Sequence, residues 1–386
     1  MSPKIKLFVI IGFVITIISS SCQREAFYFE YKVDGVVFPW TTRIIEGEEL
    51  NKIANVSADQ IIFNTSDETL DNINIGDVLL VGVCDLTPYG LIRKVTGIKK
   101  EESSVTINTS DASVCEAVKS GTITFSQVLT ANDFEVDNLS KGMPSEIVKS
   151  FNGFRTSLNH VEAYNRDGKT VWIDGVAGIA PQIDVRIEIE DFTLKSLSVQ
   201  TKISRIDEIC LSSNGSFSGE GYTEVVSLKK SEPVSVAGLI FTPKISLVCG
   251  VNGSASGSVS DAVRQEVVYT SVITMDGNDF THNLTEEKLI KDYETPVLNS
   301  DLNISVYVNP ELTICLSGRE MFKSDINGYH QLQADKTWPK WWNIYVGYKG
   351  TVWLDSSILN GSDDYSEAVE IPKVLVGSAA GQYSGF

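Results

Sequence analysis

Ile183, Val185, Ile187 and Ile189 alternate with Asp184, Arg186, Glu188 and Glu190, and this strict period of two constrains the fold more than any other feature. Successive side chains of a strand point to opposite faces, so the stretch reads as a strand with one apolar and one wet face. Phe27, Phe29, Tyr31 and Val33 repeat the pattern before Asp34-Gly35 turns the chain into Val36-Val37-Phe38. An Asp-Gly pair between alternating runs marks a tight hairpin, because both turn positions need positive φ. Asp167-Gly168 lies between Val161–Tyr164 and Thr170–Ile173, and Asp276-Gly277 follows the run Glu266–Met275. Helical signals are few. Ser113-Val114-Cys115-Glu116 fits a capping box with Gly121 as a stop, and Ser145–Phe151 and Asn283–Lys291 read as helical turns or short helices. The expectation is an all-β, predominantly antiparallel chain with few short helices.

Its organisation divides by strand length. Residues 27–129 hold several short strand segments and one helix, as in a small barrel-like or rolled-sheet domain. The polar stretch 130–142 reads as a linker, and 143–386, with longer strands and Gly/Ser turns, as a larger β-sandwich or curled sheet. A chain of 386 residues can support two such cores.

The N-terminus reads as an export signal over residues 1–21. Lys4 and Lys6 precede the apolar run Leu7–Ile18, which is short for a membrane span, and Ser19 to Ser21 supply small residues for cleavage. Ile18-Ser19-Ser20-Ser21-Cys22 resembles the lipobox of bacterial lipoproteins, with Ser19 where the strictest pattern has leucine. The resemblance implies that Cys22 is acylated and becomes the first mature residue, with 22–26 as a tether. Acyl chains add about 0.8 kcal/mol of membrane affinity per buried CH₂. Gln23 stands where enteric lipoproteins retained at the inner membrane carry Asp, so the implied location is the cell envelope, at the outer membrane.

A net charge of −18 argues against nucleic acid, whose phosphates such a surface repels. Besides Cys22 there are Cys84, Cys115, Cys210, Cys249 and Cys315, an odd set that cannot pair completely. Two readings stand: buried structural thiols, which the apolar contexts favour, or a single disulfide. No Cys/His spacing suggests a metal site, and no cofactor is expected.

Gly76-Asp77-Val78-Leu79, the run Pro88-Tyr89-Gly90-Leu91-Ile92-Arg93-Lys94-Val95, and the aromatic stretch Trp338–Gly347 resemble blocks in uncharacterised exported prokaryotic β-rich proteins. That resemblance implies export and architecture, and no chemistry. On physical grounds Gly76-Asp77 makes a turn whose carboxylate accepts a local backbone N–H, and Arg93 and Lys94 belong to salt bridges or a solvated face.

Hydrolytic signatures are weak. His160, His282 and His330 fit no HExxH motif; Gly215–Gly219 has Phe217, and Gly253–Gly257 has Ala255, where a nucleophile elbow needs serine. Asp363-Asp364 with Glu367 has the chemistry for an acid–base pair or a Ca²⁺ site of hard oxygens, but a chain with 50 acidic residues produces such clusters by chance. The segment with most promise is Trp338–Leu354. Trp342, Ile344, Val346, Tyr348, Val352 and Leu354 share one parity and make a core face. Trp341, Tyr345 and Trp353 share the other, and would form an aromatic platform if that face were half-exposed. The expected function is non-enzymatic binding or adhesion by a lipid-anchored envelope protein, with an extracellular glycan or protein as partner. The alternatives are an envelope glycan-acting hydrolase and a carrier for a hydrophobic ligand.

Overall fold

The computed structural model describes residues 30–65, 70, 72–139, 153–230, 232–277, 279–298, 301–335, 340–360 and 364–380. Residues 1–21 and 22–26, expected as signal peptide and tether and including Cys22, together with Ser145–Phe151 and Trp338, lie outside these residues. Strand accounts for 75% of the structure and helix for 6%, so the chain is all-β, as its alternation requires.

A hairpin of β1 (Glu30–Val33) and β2 (Val36–Pro39) comes first, closed by Asp34 and Gly35, both at positive φ. Then β3 (Thr42–Ile45), β4 (Ile53–Val56), β5 (Gln60–Phe63), β6 (Val78–Val81), β7 (Leu91–Lys100) and β8 (Val105–Asp111) form a six-stranded sheet. It is antiparallel except where β3 runs parallel to β6. Helix α1 (Val114–Ala117) carries the expected capping box, the Ser113 N–H donating to Glu116 Oε2 at 2.9 Å. Asp77 accepts the Asn74 N–H at 3.0 Å, and Arg93 and Lys94 are tied to Asp111 and Glu116.

Longer strands follow: β9 (Gly121–Val128), β10 (Phe134–Leu139), β11 (Phe154–Arg166), β12 (Lys169–Glu190), β13 (Thr193–Ser213), β14 (Phe217–Lys230), β15 (Val234–Val236), β16 (Leu239–Ala255), β17 (Val259–Asp276) and β18 (Asp279–Tyr293). The chain ends with β19 (Val297–Leu298), β20 (Leu302–Leu316), β21 (Arg319–Ser324), β22 (Asn327–Ala334), β23 (Lys340–Leu354), helix α2 (Ser357–Asn360) and β24 (Tyr365–Ala380). One sheet has the order β11-β12-β13-β17-β18, with β9 added to β12 and β19 to β17. The other runs β10-β14-β16-β20, continues through β21 and β22 to β23, and takes β24 on its far side. The two sheets face each other across one apolar core. One edge is closed by the Thr223 hydroxyl donating to the Glu162 carbonyl at 2.6 Å, the other by Phe280 stacked on Tyr365 at 4.7 Å.

Sequence segments fall into this plan in instructive ways. Gly121–Val128, expected with the first unit, pairs along β12, and Phe134–Leu139, within the expected linker, pairs with β14. Both have apolar residues that only the large sheets can cover, as Ile123, Phe125 and Phe134 show by their burial. Strand β6 is buried on both faces: Val78 and Leu80 join the sandwich core, while Leu79 and Val81 join a smaller one with Ile61, Phe63 and Ile107. Asn283–Lys291 is not helical. It lies inside β18, paired with β17, because an edge available for pairing overrides the weak helical preference of a Glu/Lys-rich run. The Asp-Gly pairs at 34–35 and 167–168 occupy both turn positions, whereas Asp276 pairs with Asp279, leaving Gly277 as the first turn residue.

The sandwich is long. Strand β13 has 21 residues, about 65 Å at roughly 3.3 Å per residue. At one end sits the six-stranded sheet: the Phe192 N–H, in the β12–β13 turn, donates to the Lys119 carbonyl at 2.9 Å. At the other end lie the turns after β11, β13 and β16 and the start of β20.

Candidate functional site

That far end carries an open groove of about 840 Å³, lined by Tyr164, Arg166, Phe217, Ser254, Asp301 and Asn303 among others. It shares Leu302, Asn303, Ala334 and Asp335 with a second recess of about 360 Å³ that continues past Gln333 and Asn343 to Tyr345. Each part arises from ordinary strand geometry. Tyr164 and Phe217 come from the ends of two adjacent strands, their rings 5.4 Å apart, and the Tyr164 hydroxyl donates to the Ser218 carbonyl. Asn303, Gln331 and Gln333 project from neighbouring strands, and the Gln331 amide donates to Asn303 Oδ1 at 2.7 Å. Lys373 donates to Gln331 Oε1 at 2.7 Å and lies over the Tyr345 ring at 4.6 Å, so the ring is fixed by a cation on one side.

Of the expected aromatic residues, Trp341, Tyr345 and Trp353 all lie half-buried on the outward parity of β23, opposite the buried Trp342, Ile344, Val346, Tyr348, Val352 and Leu354. They are not brought together. Tyr345 and Trp353 are eight strand positions apart, about 26 Å, with Lys349 and Thr351 between them. Gly347, also between them, is covered by the Tyr329 side chain, which a Cβ there would meet at 2.7 Å. Trp341 packs against the core, Trp353 is flanked by Lys323 and Ser366, and Tyr345 alone of the three lines the groove.

A second constellation, of buried charges, lies away from the groove. Between the sheets, Arg205 Nε lies 2.5 Å from Asp207 Oδ2, both side chains fully buried. The Gln265 amide donates to Asp207 at 3.3 Å, and Arg205 donates to the Gly328 carbonyl of the opposite sheet at 3.4 Å. His330 and Asp261 face each other across the same interior at 3.4 Å. Burial pushes the Asp207 carboxyl above its ordinary range against the pull of the Arg205 guanidinium. The space beside this pair is about 20 Å³, room for one water and not for an acyl chain. The sequence does carry a signal: the inward series of β13 reads Thr201, Ile203, Arg205, Asp207, Ile209, Leu211, with two charges interrupting an apolar face.

The Ser271 hydroxyl lies 2.9 Å from His282 Nε2, and His282 Nδ1 lies 3.9 Å from Glu367. This is the atom order of a serine hydrolase, but Ser271 is only 1% exposed and its strand is paired on both sides, leaving no backbone donors for an oxyanion. The serine is a core hydroxyl satisfied by an imidazole. Burial holds His282 below the usual histidine range, with Glu367 opposing. The unfolded chain therefore binds the proton more readily, so this stabilisation is complete above about pH 6.5 and falls as the solution becomes more acidic. Denaturation midpoints of His282→Gln are expected to change less than those of the wild type between pH 7 and 5.5; parallel pH dependences would refute this.

Among the described residues no cluster of three or more His, Cys, Asp or Glu side chains is arranged to hold a metal ion, and Cys84, Cys115, Cys210, Cys249 and Cys315 are all free thiols. Asp167, Asp301 and Asp335 in the groove are exposed, whereas a carboxylic acid that protonates a leaving group needs a desolvated setting. Comparison with protein-family models, curated proteins and solved structures finds no match to this chain.

Proposed function

We propose that this chain is a lipid-anchored protein of the bacterial cell envelope that binds an extracellular glycan without chemical turnover. The supporting observation is the continuous groove from Tyr164 and Phe217 to Tyr345, with amide side chains along it. Asn and Gln each offer donors and an acceptor to ring hydroxyls, and an aromatic ring fixed at one face offers the other for stacking. Exposed carboxylates favour binding over hydrolysis, and the small interior space disfavours a hydrophobic cargo. Anchoring rests on Cys22 and the export signal before it.

Glycan-array and pull-down binding with the mature body starting at Gln23 tests this reading. Tyr345→Ala and Asn303→Ala are each expected to weaken the retained glycan about tenfold or more, the cost of one lost stacking or paired hydrogen-bond contact of about 1.4 kcal/mol. Trp353→Ala, outside the groove, should leave binding unchanged. Binding that survives both groove substitutions would place the ligand elsewhere.

A further inference from the structure

Cys22 and Glu30 are eight positions apart in sequence, so an acyl group on Cys22 is confined to within about 28 Å of Glu30 at roughly 3.5 Å per residue. Glu30 is the start of β1, and the segments linked to it by pairing and hydrogen bonds carry three large exposed apolar side chains. It pairs with Pro39, next to Trp40, which is 42% exposed. Its carboxylate bonds Lys119, whose carbonyl accepts the N–H of Phe192, also 42% exposed. Arg43 lies 5.8 Å from the Trp40 ring and donates to the Asn72 carbonyl and to Asp77, which flank the turn containing Ile75, 69% exposed.

Phe192 is the most telling of the three. It holds φ +61°, a left-handed conformation that favours glycine, in a turn whose tip meets solvent. A bulky residue at such a position points to a use for the side chain. Strands β12 and β13 then run from this end to the groove, about 65 Å away.

We propose that the end bearing Trp40, Ile75 and Phe192 seats against the bilayer that holds the Cys22 acyl chains, so that the groove faces away from the membrane. Trp belongs at the boundary between headgroups and hydrocarbon because its ring is apolar with one polar edge, and Phe and Ile enter slightly deeper. The seat is expected to favour zwitterionic over anionic lipid, because Glu46, Glu48 and Glu49 lie on the turn after β3 and the chain carries a net charge of −18. The orientation rests on the tether assigned above.

The test uses the mature acylated protein in phosphatidylcholine vesicles containing lipids brominated near the top of the acyl chain, read by tryptophan fluorescence. Bromine is expected to quench part of the emission, and Trp40→Phe should remove at least half of that quenching. Phe192→Gly, which relieves the positive φ and so keeps the fold, should lift Trp40 and reduce quenching as well. Vesicle-bound acylated protein with no quenching, or with quenching untouched by Trp40→Phe, overturns the orientation while leaving the tether intact. A mature N-terminus whose mass shows no acyl group removes both.

Discussion

Asp207→Ala is expected to destabilise the protein by about 3–5 kcal/mol, because it strands the Arg205 guanidinium in the centre of the sandwich. Among the described residues, the one hydrogen bond that the pair makes to the opposite sheet runs from Arg205 to the Gly328 carbonyl. Gly328 is itself tailored to the guanidinium, since a Cβ there would lie 2.7 Å from Arg205 Nη1. The loss arises from an unpaired buried charge and not from the worth of the ion pair itself. Replacing both partners together, as Arg205→Met with Asp207→Leu, should therefore recover most of the stability. Urea denaturation separates these cases: the midpoint of Asp207→Ala should fall sharply at unchanged m-value, and the double variant should return toward the wild type. A single-variant loss below 1 kcal/mol, or a double variant as unstable as the single, would mean that Arg205 reaches water.

The contrast between this pair and the groove shows what sequence can and cannot carry. Alternation fixed the face of nearly every residue of β23, because a strand has only two faces and Trp342, Ile344 and Val346 can face only inward. Parity also contained Arg205 and Asp207, as charges in an apolar series. Nothing local contained the groove. Tyr164, Phe217, Asn303 and Tyr345 lie on four strands, and only the register between those strands puts them beside one another. Parity also placed Trp341, Tyr345 and Trp353 on one side of β23, but the positions from Trp341 to Trp353 spread them along about 40 Å of a single strand. The Asn283–Lys291 misreading has a related origin, since a charged run is indifferent until a neighbour offers hydrogen bonds.

Gly175→Ala is expected to cost about 4 kcal/mol, for reasons that reach the groove. Gly175 holds φ +128° in the middle of β12, opposite Leu158 on one side and Ile209 on the other. A Cβ there would lie 1.9 Å from the Glu208 carbonyl oxygen, a backbone atom held in its own ladder. Strain in φ of about 1–3 kcal/mol and forced backbone displacement of similar size both act. The site is also where β11 bulges: His160, at φ +51°, donates its N–H to Asp174 Oδ1 at 2.7 Å, and the register shifts between Leu158 and Val161. This bend aims the β11–β12 hairpin, which brings Tyr164 and Arg166 to the groove. Gly178→Ala in the same strand is the control, because its φ is ordinary and the nearest atom is 3.3 Å away. It should cost about 1 kcal/mol. Denaturation of the two variants checks the difference, and equal losses would show that β12 yields at Gly175. Where Gly175→Ala still folds at low temperature, its glycan affinity should fall with the displaced hairpin while that of Gly178→Ala holds, which ties the bend in one strand to the shape of the site at its end.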